Sequence, residues 1–119
     1  MDTLYNYQGK PIAYLYDDNE HLYMYDGLPV GFLRDEHVYN YRGRYLGWIY
    51  NGWYYDRNGR PAFFTEGATG GPAKPARHAK PARGARHARP AKAAREARPA
   101  KPARSLSWSP YTGYDYFTQ

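Results

Sequence analysis

The chain of 119 residues contains no cysteine, which excludes a disulfide framework and any thiolate metal centre. Long apolar runs are missing too. The opening "MDTLYNYQGKPIAYLY" has neither a basic leader nor a continuous apolar stretch, so neither a signal peptide nor a transmembrane helix is expected and a cytoplasmic location is the default. Histidines are few: His21, His37, His78 and His87 have no partners at metal-ligand spacing and read as solvated. No nucleophile with a neighbouring base stands out, so enzymatic chemistry, a metal and a cofactor are all unexpected.

Aromatic residues, by contrast, are plentiful. Their share is 18%, carried chiefly by fifteen tyrosines. Large rings pack well on pleated surfaces and lose rotamer freedom in helices, so this composition favours strands. Glycine divides the first 66 residues into four copies of one pattern: "LYNYQGKPIAYLY" from Leu4, "LYMYDGLPVGFLR" from Leu22, "VYNYRGRYLGWIY" from Val38 and "YYDRNGRPAFFTE" from Tyr54. Each reads as strand, turn, strand. Gln8-Gly9, Asp26-Gly27, Arg42-Gly43 and Asn58-Gly59 sit where a two-residue type I′ turn would place them.

Counting outward from such turns pairs Tyr7 with Lys10, Tyr5 with Ile12 and Leu4 with Ala13. Pro11, Pro29 and Pro61 then fall where the missing N–H costs the hairpin nothing but denies a bond to its neighbour, so the hairpins should part towards their tips. One face collects Tyr5, Tyr7, Ile12 and Tyr14 and their counterparts. The other carries Leu15, Leu33, Ile49 and Thr65, preceded by Ala13, Gly31 and Gly47, small residues suited to convergence on a pseudo-fourfold axis. The fourth copy departs, with Phe63 at the small position and Arg57 in place of a tyrosine. A single hairpin is unstable alone, so the four are expected to share one core.

The charge is unevenly divided. Residues 1–66 hold six Lys/Arg against nine Asp/Glu, a net of −3; residues 67–104 hold eleven against one, a net of +10; the last fifteen carry −1. Asp17, Asp18, Glu20, Asp35 and Glu36 lie between copies, where they suit turns and an acidic rim better than a calcium loop. From Thr65 the composition turns to Pro, Ala, Lys and Arg. Three parts follow: a four-hairpin β domain at 1–66, a linker at 67–104 expected to be disordered apart from a possible short helix at Ala91–Ala97, and an aromatic tail at 105–119 expected to dock back on the hairpins.

The fourfold "Y-x-Y-x-G-x-P" pattern, the proline-spaced linker and the terminal "WSPYTGYDYF" resemble the four-fold β-flower family. The resemblance implies an all-β fold of four sequential hairpins around a shallow pseudo-fourfold barrel, and no established activity. Its shape is similar to that of Tubby C-terminal domains, which bind phosphoinositide membranes. A second resemblance, of "GWIYNGWYYDRNG" to choline-binding cell-wall repeats, implies aromatic cages for quaternary ammonium groups.

The expected role is therefore a monomeric, non-enzymatic binding or scaffold module. A hydrophobic ligand or partner peptide at the barrel end would meet Tyr14, Phe32, Trp48, Trp53, Phe64 and Trp108, of which Trp53 has no counterpart in the other copies. Alternatively, Lys74, Arg77, Lys80, Arg83, Arg86, Arg89, Lys92, Arg95, Arg98, Lys101 and Arg104 would hold nucleic acid or an anionic membrane by charge alone, since the linker has no aromatic interleaving for base stacking.

Overall fold

A computed structural model describes residues 2–119. Eight strands follow one another: β1 (Thr3–Tyr5), β2 (Pro11–Leu15), β3 (His21–Met24), β4 (Pro29–Arg34), β5 (His37–Tyr39), β6 (Tyr45–Tyr50), β7 (Trp53–Asp56) and β8 (Pro61–Phe64). They form a closed antiparallel barrel in chain order, with β1 completing the ring against β8 through Tyr5 and Phe64. The fourfold repeat extends to the closing bonds. The N–H groups of Leu15, Leu33, Ile49 and Thr65 donate to the carbonyls of Asp2, Glu20, Glu36 and Gly52 at 2.8, 2.8, 2.9 and 3.0 Å.

The hairpin tips differ from the expected type I′ turns. Gly9 N–H donates to the Asn6 carbonyl at 2.9 Å and Asn6 N–H to that of Lys10 at 3.0 Å, with positive φ at Gly9 alone. This is a type I turn ended by a left-handed glycine, and it adds a bulge to the hairpin. The reason lies one residue further out than the dipeptide signal. Asn6 Oδ1 accepts from the N–H groups of Gln8 and Lys10, and Asn40 and Asp56 do the same in their own hairpins. True two-residue turns with positive φ at both positions occur instead in the links, at Asp35-Glu36 and Asn51-Gly52.

The bulge corrects the register. Leu4 does oppose Ala13, but Tyr5 opposes Pro11 rather than Ile12, and the same shift recurs in all four hairpins. Ile12 consequently leaves the aromatic face to which simple counting assigned it. Ile12, Val30, Leu46 and Ala62 pack with Leu4, Leu22, Val38 and Tyr54 in the barrel interior, while the tyrosine columns lie in three separate clusters.

The interior also holds the C-terminal residues. A 3-10 helix at Tyr114–Thr118 buries Tyr116 and Phe117 in the barrel cluster. The small positions make this room: a methyl on Gly31 would lie 3.6 Å from Phe117 Cδ1, and one on Gly47 would lie 2.9 Å from Tyr116 Oη. Phe63 occupies the equivalent place in the fourth hairpin and meets the Tyr116 ring edge-on at 5.1 Å and the Phe117 ring stacked at 6.1 Å. The irregular fourth copy is thus the wall against which the tail packs. Asn6 and Asn40 donate to the carbonyls of Thr112 and Phe117, both at 3.2 Å, and Tyr116 Oη donates to the Tyr55 carbonyl at 2.9 Å.

Residues 67–104 carry neither helix nor strand, so the short helix considered for Ala91–Ala97 is absent. Composition suggested disorder, but the segment lies in an extended path against the barrel. Its N–H groups bond to carbonyls of the hairpin tips, long-range contacts that composition does not reveal. Among the described residues no helix is long and apolar enough to cross a membrane.

Candidate functional site

Outside the barrel, each junction between neighbouring hairpins carries a stacked ring pair: Tyr5–Phe64, Tyr14–Tyr23, Phe32–Tyr39 and Trp48–Tyr55. Their centroids are 5.4, 5.8, 5.8 and 5.5 Å apart and their planes within 26° of parallel. These rings are buried although they are not in the barrel core. What covers them is the basic segment.

That segment is itself a fourfold repeat. Residues 73–81, 82–90, 91–99 and 100–108 read "AKPARHAKP", "ARGARHARP", "AKAAREARP" and "AKPARSLSW", a nine-residue unit that composition alone conceals. Each unit serves one hairpin. The N–H groups of His78, His87, Glu96 and Ser105, nine residues apart, donate to the carbonyls of Gly9, Gly27, Gly43 and Gly59 at 2.9, 3.0, 2.8 and 2.8 Å. The carbonyls of Ala76, Ala85, Ala94 and Ala103 press so closely on those same glycines that a methyl group at any of them would collide. Glycine is needed at the tips twice over, for positive φ and for this approach.

The cations follow the same period. At the second position of the unit, Arg83, Lys92 and Lys101 stand over the rings of Tyr14, Phe32 and Trp48 at 4.4, 4.7 and 5.6 Å. At the fifth, Arg77 and Arg95 stand over Tyr5 and Tyr39 at 5.8 and 5.6 Å, Arg86 over Tyr16 at 4.2 Å and Arg104 over Tyr50 at 4.0 Å. At the eighth, Lys80, Arg89 and Arg98 reach the acidic links at Glu66, Asp18 and Asp35, at 3.6, 3.3 and 3.1 Å. Lys74 bonds instead to the Ala68 carbonyl at 2.7 Å. All eleven basic residues singled out in the sequence therefore lie in one belt around the barrel, and each meets the barrel or the turn that follows it.

The electrostatics of the links follow from these contacts. Lys92 and then Arg34 hold the Glu20 carboxyl down at about 2. Burial would raise Asp18, but hydrogen bonds from His21 and from the Glu20 N–H outweigh it and bring Asp18 to about 2. Burial, aided by Arg98 and Lys101, pushes His37 below its ordinary value, and its Nδ1 lies 2.7 Å from Tyr45 Oη, whose pKa burial raises to about 12. Among the described residues no group of three His, Asp or Glu side chains could hold a metal ion.

The residues expected at the barrel end are placed differently. Tyr14, Phe32, Trp48 and Phe64 line the outer flank beneath the belt, whereas the interior site expected for a ligand is filled by Tyr116 and Phe117. Trp53 is enclosed by Trp108 at 5.5 Å and Phe64 at 5.8 Å, and its indole N–H donates to the Thr69 carbonyl at 3.1 Å. These six rings therefore do not converge on one cage. Sequence reasoning missed Glu96, Asp56 and Ser109. Glu96 Oε1 accepts from Tyr45 N–H at 2.5 Å, and buried Asp56 accepts from Ser109 Oγ at 2.5 Å. The nine-residue period would have pointed to Glu96 as the odd member of its column; nothing local marks the other two.

A cleft of about 580 Å³ on the flank is lined by Arg34, Lys92, Arg95 and Arg98, with Tyr39 and Glu96. Of its four cations, Arg34 and Lys92 pair with Glu20 and Arg98 with Asp35 beside the cleft, which leaves Arg95 without a carboxylate partner among the described residues. Comparison with known proteins finds a match over residues 2–117 to the family described as "4-fold beta flower protein". No curated protein matches the chain, and no solved structure does.

Proposed function

The chain belongs to the 4-fold beta flower family, and on that scaffold we propose that it is a non-enzymatic module that binds nucleic acid through its phosphates along the cationic belt. One observation carries the reading. Seven of the eleven belt cations stand over aromatic faces rather than against carboxylates alone. A ring holds a guanidinium or ammonium in place by its quadrupole without neutralising it, so the charge stays available to an anion on the solvent side. The belt from 85 to 104 is exposed throughout.

The aromatic rings are covered, which leaves no platform for base stacking and makes the expected binding indifferent to sequence. The shape favours a strand over a bilayer. The molecule measures 37 × 36 × 22 Å, and its basic belt passes from one hairpin tip to the next around the barrel. A flexible strand can track such a belt, whereas a plane meets it along one edge only. The filled barrel interior argues against a hydrophobic ligand there, and the enclosed Trp53 against an open ammonium cage.

The test is fluorescence anisotropy with labelled single-stranded and duplex oligonucleotides between 50 and 200 mM salt. If about five phosphates are contacted, affinity should fall roughly 100- to 500-fold across that range, the counterion slope expected for that number. Absence of binding at 50 mM salt would refute the proposal, as would affinity insensitive to salt. Tighter binding to phosphatidylserine vesicles than to either oligonucleotide would replace nucleic acid by a membrane.

A further inference from the structure

The belt meets the barrel as a ligand meets a receptor. Every hydrogen bond made by residues 76–104 goes to the hairpins and their links, and none joins one belt residue to another. We propose that the barrel flank is a binding surface for the basic nine-residue repeat, and that residues 72–119 of a second copy of this chain can take the place of its own.

Specific recognition, beyond attraction of opposite charges, is visible in a paired exception. Three hairpins have proline after the tip, at Pro11, Pro29 and Pro61, and so present no N–H there. The third has Tyr45, whose N–H is free to donate. The belt unit facing it is the one that carries a carboxylate, Glu96, where the others have His78, His87 and Ser105, and Glu96 accepts that N–H. A belt shifted by one unit would leave Tyr45 N–H without its acceptor and put Glu96 opposite a proline. The pair therefore acts as an address that assigns each unit to its own junction.

Exchange between copies costs no contact, because every bond given up on one barrel is available on the other. The belt lies at the surface, where each cation–π contact and ion pair contributes about 1 kcal/mol or less. The tail that travels with it, however, holds Tyr116 and Phe117 in the barrel interior, so exchange requires that end of the barrel to open and is started by partial unfolding. The segment between barrel and belt contains Gly67, Gly70 and Gly71. Gly67 and Gly70 have open space around them, which suits a hinge. A charge of −3 on residues 1–66 faces +10 on residues 67–104, so a released belt is drawn to any vacated flank. What favours the chain's own belt is the tether alone, equivalent to an effective concentration on the order of millimolar. Reciprocal exchange, in which each copy lends its belt and tail to the other, becomes comparable at similar chain concentrations.

The native ion pairs allow a test in the unaltered protein. Chains labelled with ¹⁵N and unlabelled chains are mixed in urea that unfolds them, refolded together at micromolar or millimolar concentration, and treated with a carbodiimide, which joins touching carboxylates and amines. Digestion and mass spectrometry then identify linked peptides. Lys92 touches Glu20, and Lys80 lies 3.6 Å from Glu66. At millimolar concentration on the order of a tenth to a half of the Glu20–Lys92 and Glu66–Lys80 links should join a heavy to a light peptide, with few at micromolar concentration. Replacing the address, with Tyr45→Pro and Glu96→His together, should scatter the mixed links onto other acidic links such as Asp35. Mixed links absent at every concentration would overturn the proposal. So would mixed links spread over unrelated carboxylate–lysine pairs in the unaltered protein, which would mean charge attraction without recognition.

Discussion

Gly9 and Gly70 have nearly the same φ, +77 and +76, but opposite surroundings. A methyl on Gly9 would strike the Ala76 carbonyl of the belt, whereas one on Gly70 would meet nothing within 4 Å. Gly70→Ala therefore measures the left-handed backbone penalty alone, at most about 1–2 kcal/mol. Gly9→Ala adds displacement of the first belt unit. The displaced unit loses the His78 N–H bond to the Gly9 carbonyl, about 1 kcal/mol, and the Arg77 contact with the Tyr5 ring, about 0.5–1 kcal/mol. A total of about 2–4 kcal/mol follows for Gly9→Ala, a loss of about 10 °C in melting temperature for a domain of this size. The assay pairs urea unfolding with timed tryptic digestion, because displacement should also speed cleavage after Arg77; the neighbouring Lys74 and Lys80 are protected by the prolines that follow them. Equal stability losses in the two variants, with equal cleavage rates, would show that the belt does not press on the tip and would refute the reasoning.

Phe117→Ala should destabilise by about 3–5 kcal/mol, seen as a lower urea midpoint, because its ring is buried against Phe63 and Tyr116 inside the barrel. Asp56→Ala strips acceptors from Asn58 N–H, Arg60 N–H and Ser109 Oγ and should cost about 2–4 kcal/mol in the same assay. Asp56→Asn, which keeps the oxygen facing the turn, should cost less. The depressed Glu20 and Asp18 carboxylates contribute stability that is complete above about pH 4.5 and is lost as pH falls through about 2. The protection of the Ala93 and Glu96 amides, taken relative to their intrinsic exchange rate at each pH, should therefore fall over that window, in which the partners of Arg89 and Lys92 become neutral, more than that of amides in the barrel wall.

Both repeats were written in the residue order, but only one was legible. Glycine marked the hairpins because a left-handed turn leaves few alternatives, and the spacing of Gly9, Gly27, Gly43 and Gly59 gave four sequential hairpins and an all-β barrel. The belt units escaped notice because alanine, proline and lysine signal no local structure. Their period has meaning only against a barrel whose hairpin tips stand one unit apart. Position of the site was equally illegible. Tyr14 and Trp48 look like barrel lining, because strand alternation alone does not say which face of a hairpin turns inward.

Residue order by itself determined the number of hairpins, their tips, the acidic links and the chain ends that had to find cover, since these depend on turn chemistry and composition within a few residues. Tertiary structure decided which face turned inward, because alternation offers two faces and only closure of the barrel around Tyr116 and Phe117 selects between them, and it decided that Ile12 joins the inner face, because the bulge shifts the pairing near the tip. It also decided that the aromatic columns should receive cations. Ring pairs form across neighbouring hairpins, and the Lys and Arg residues that cover them come from a segment more than fifty residues away in the chain, from Lys101 over Trp48 to Arg77 over Tyr5, a match of barrel circumference to repeat length that only the closed barrel sets.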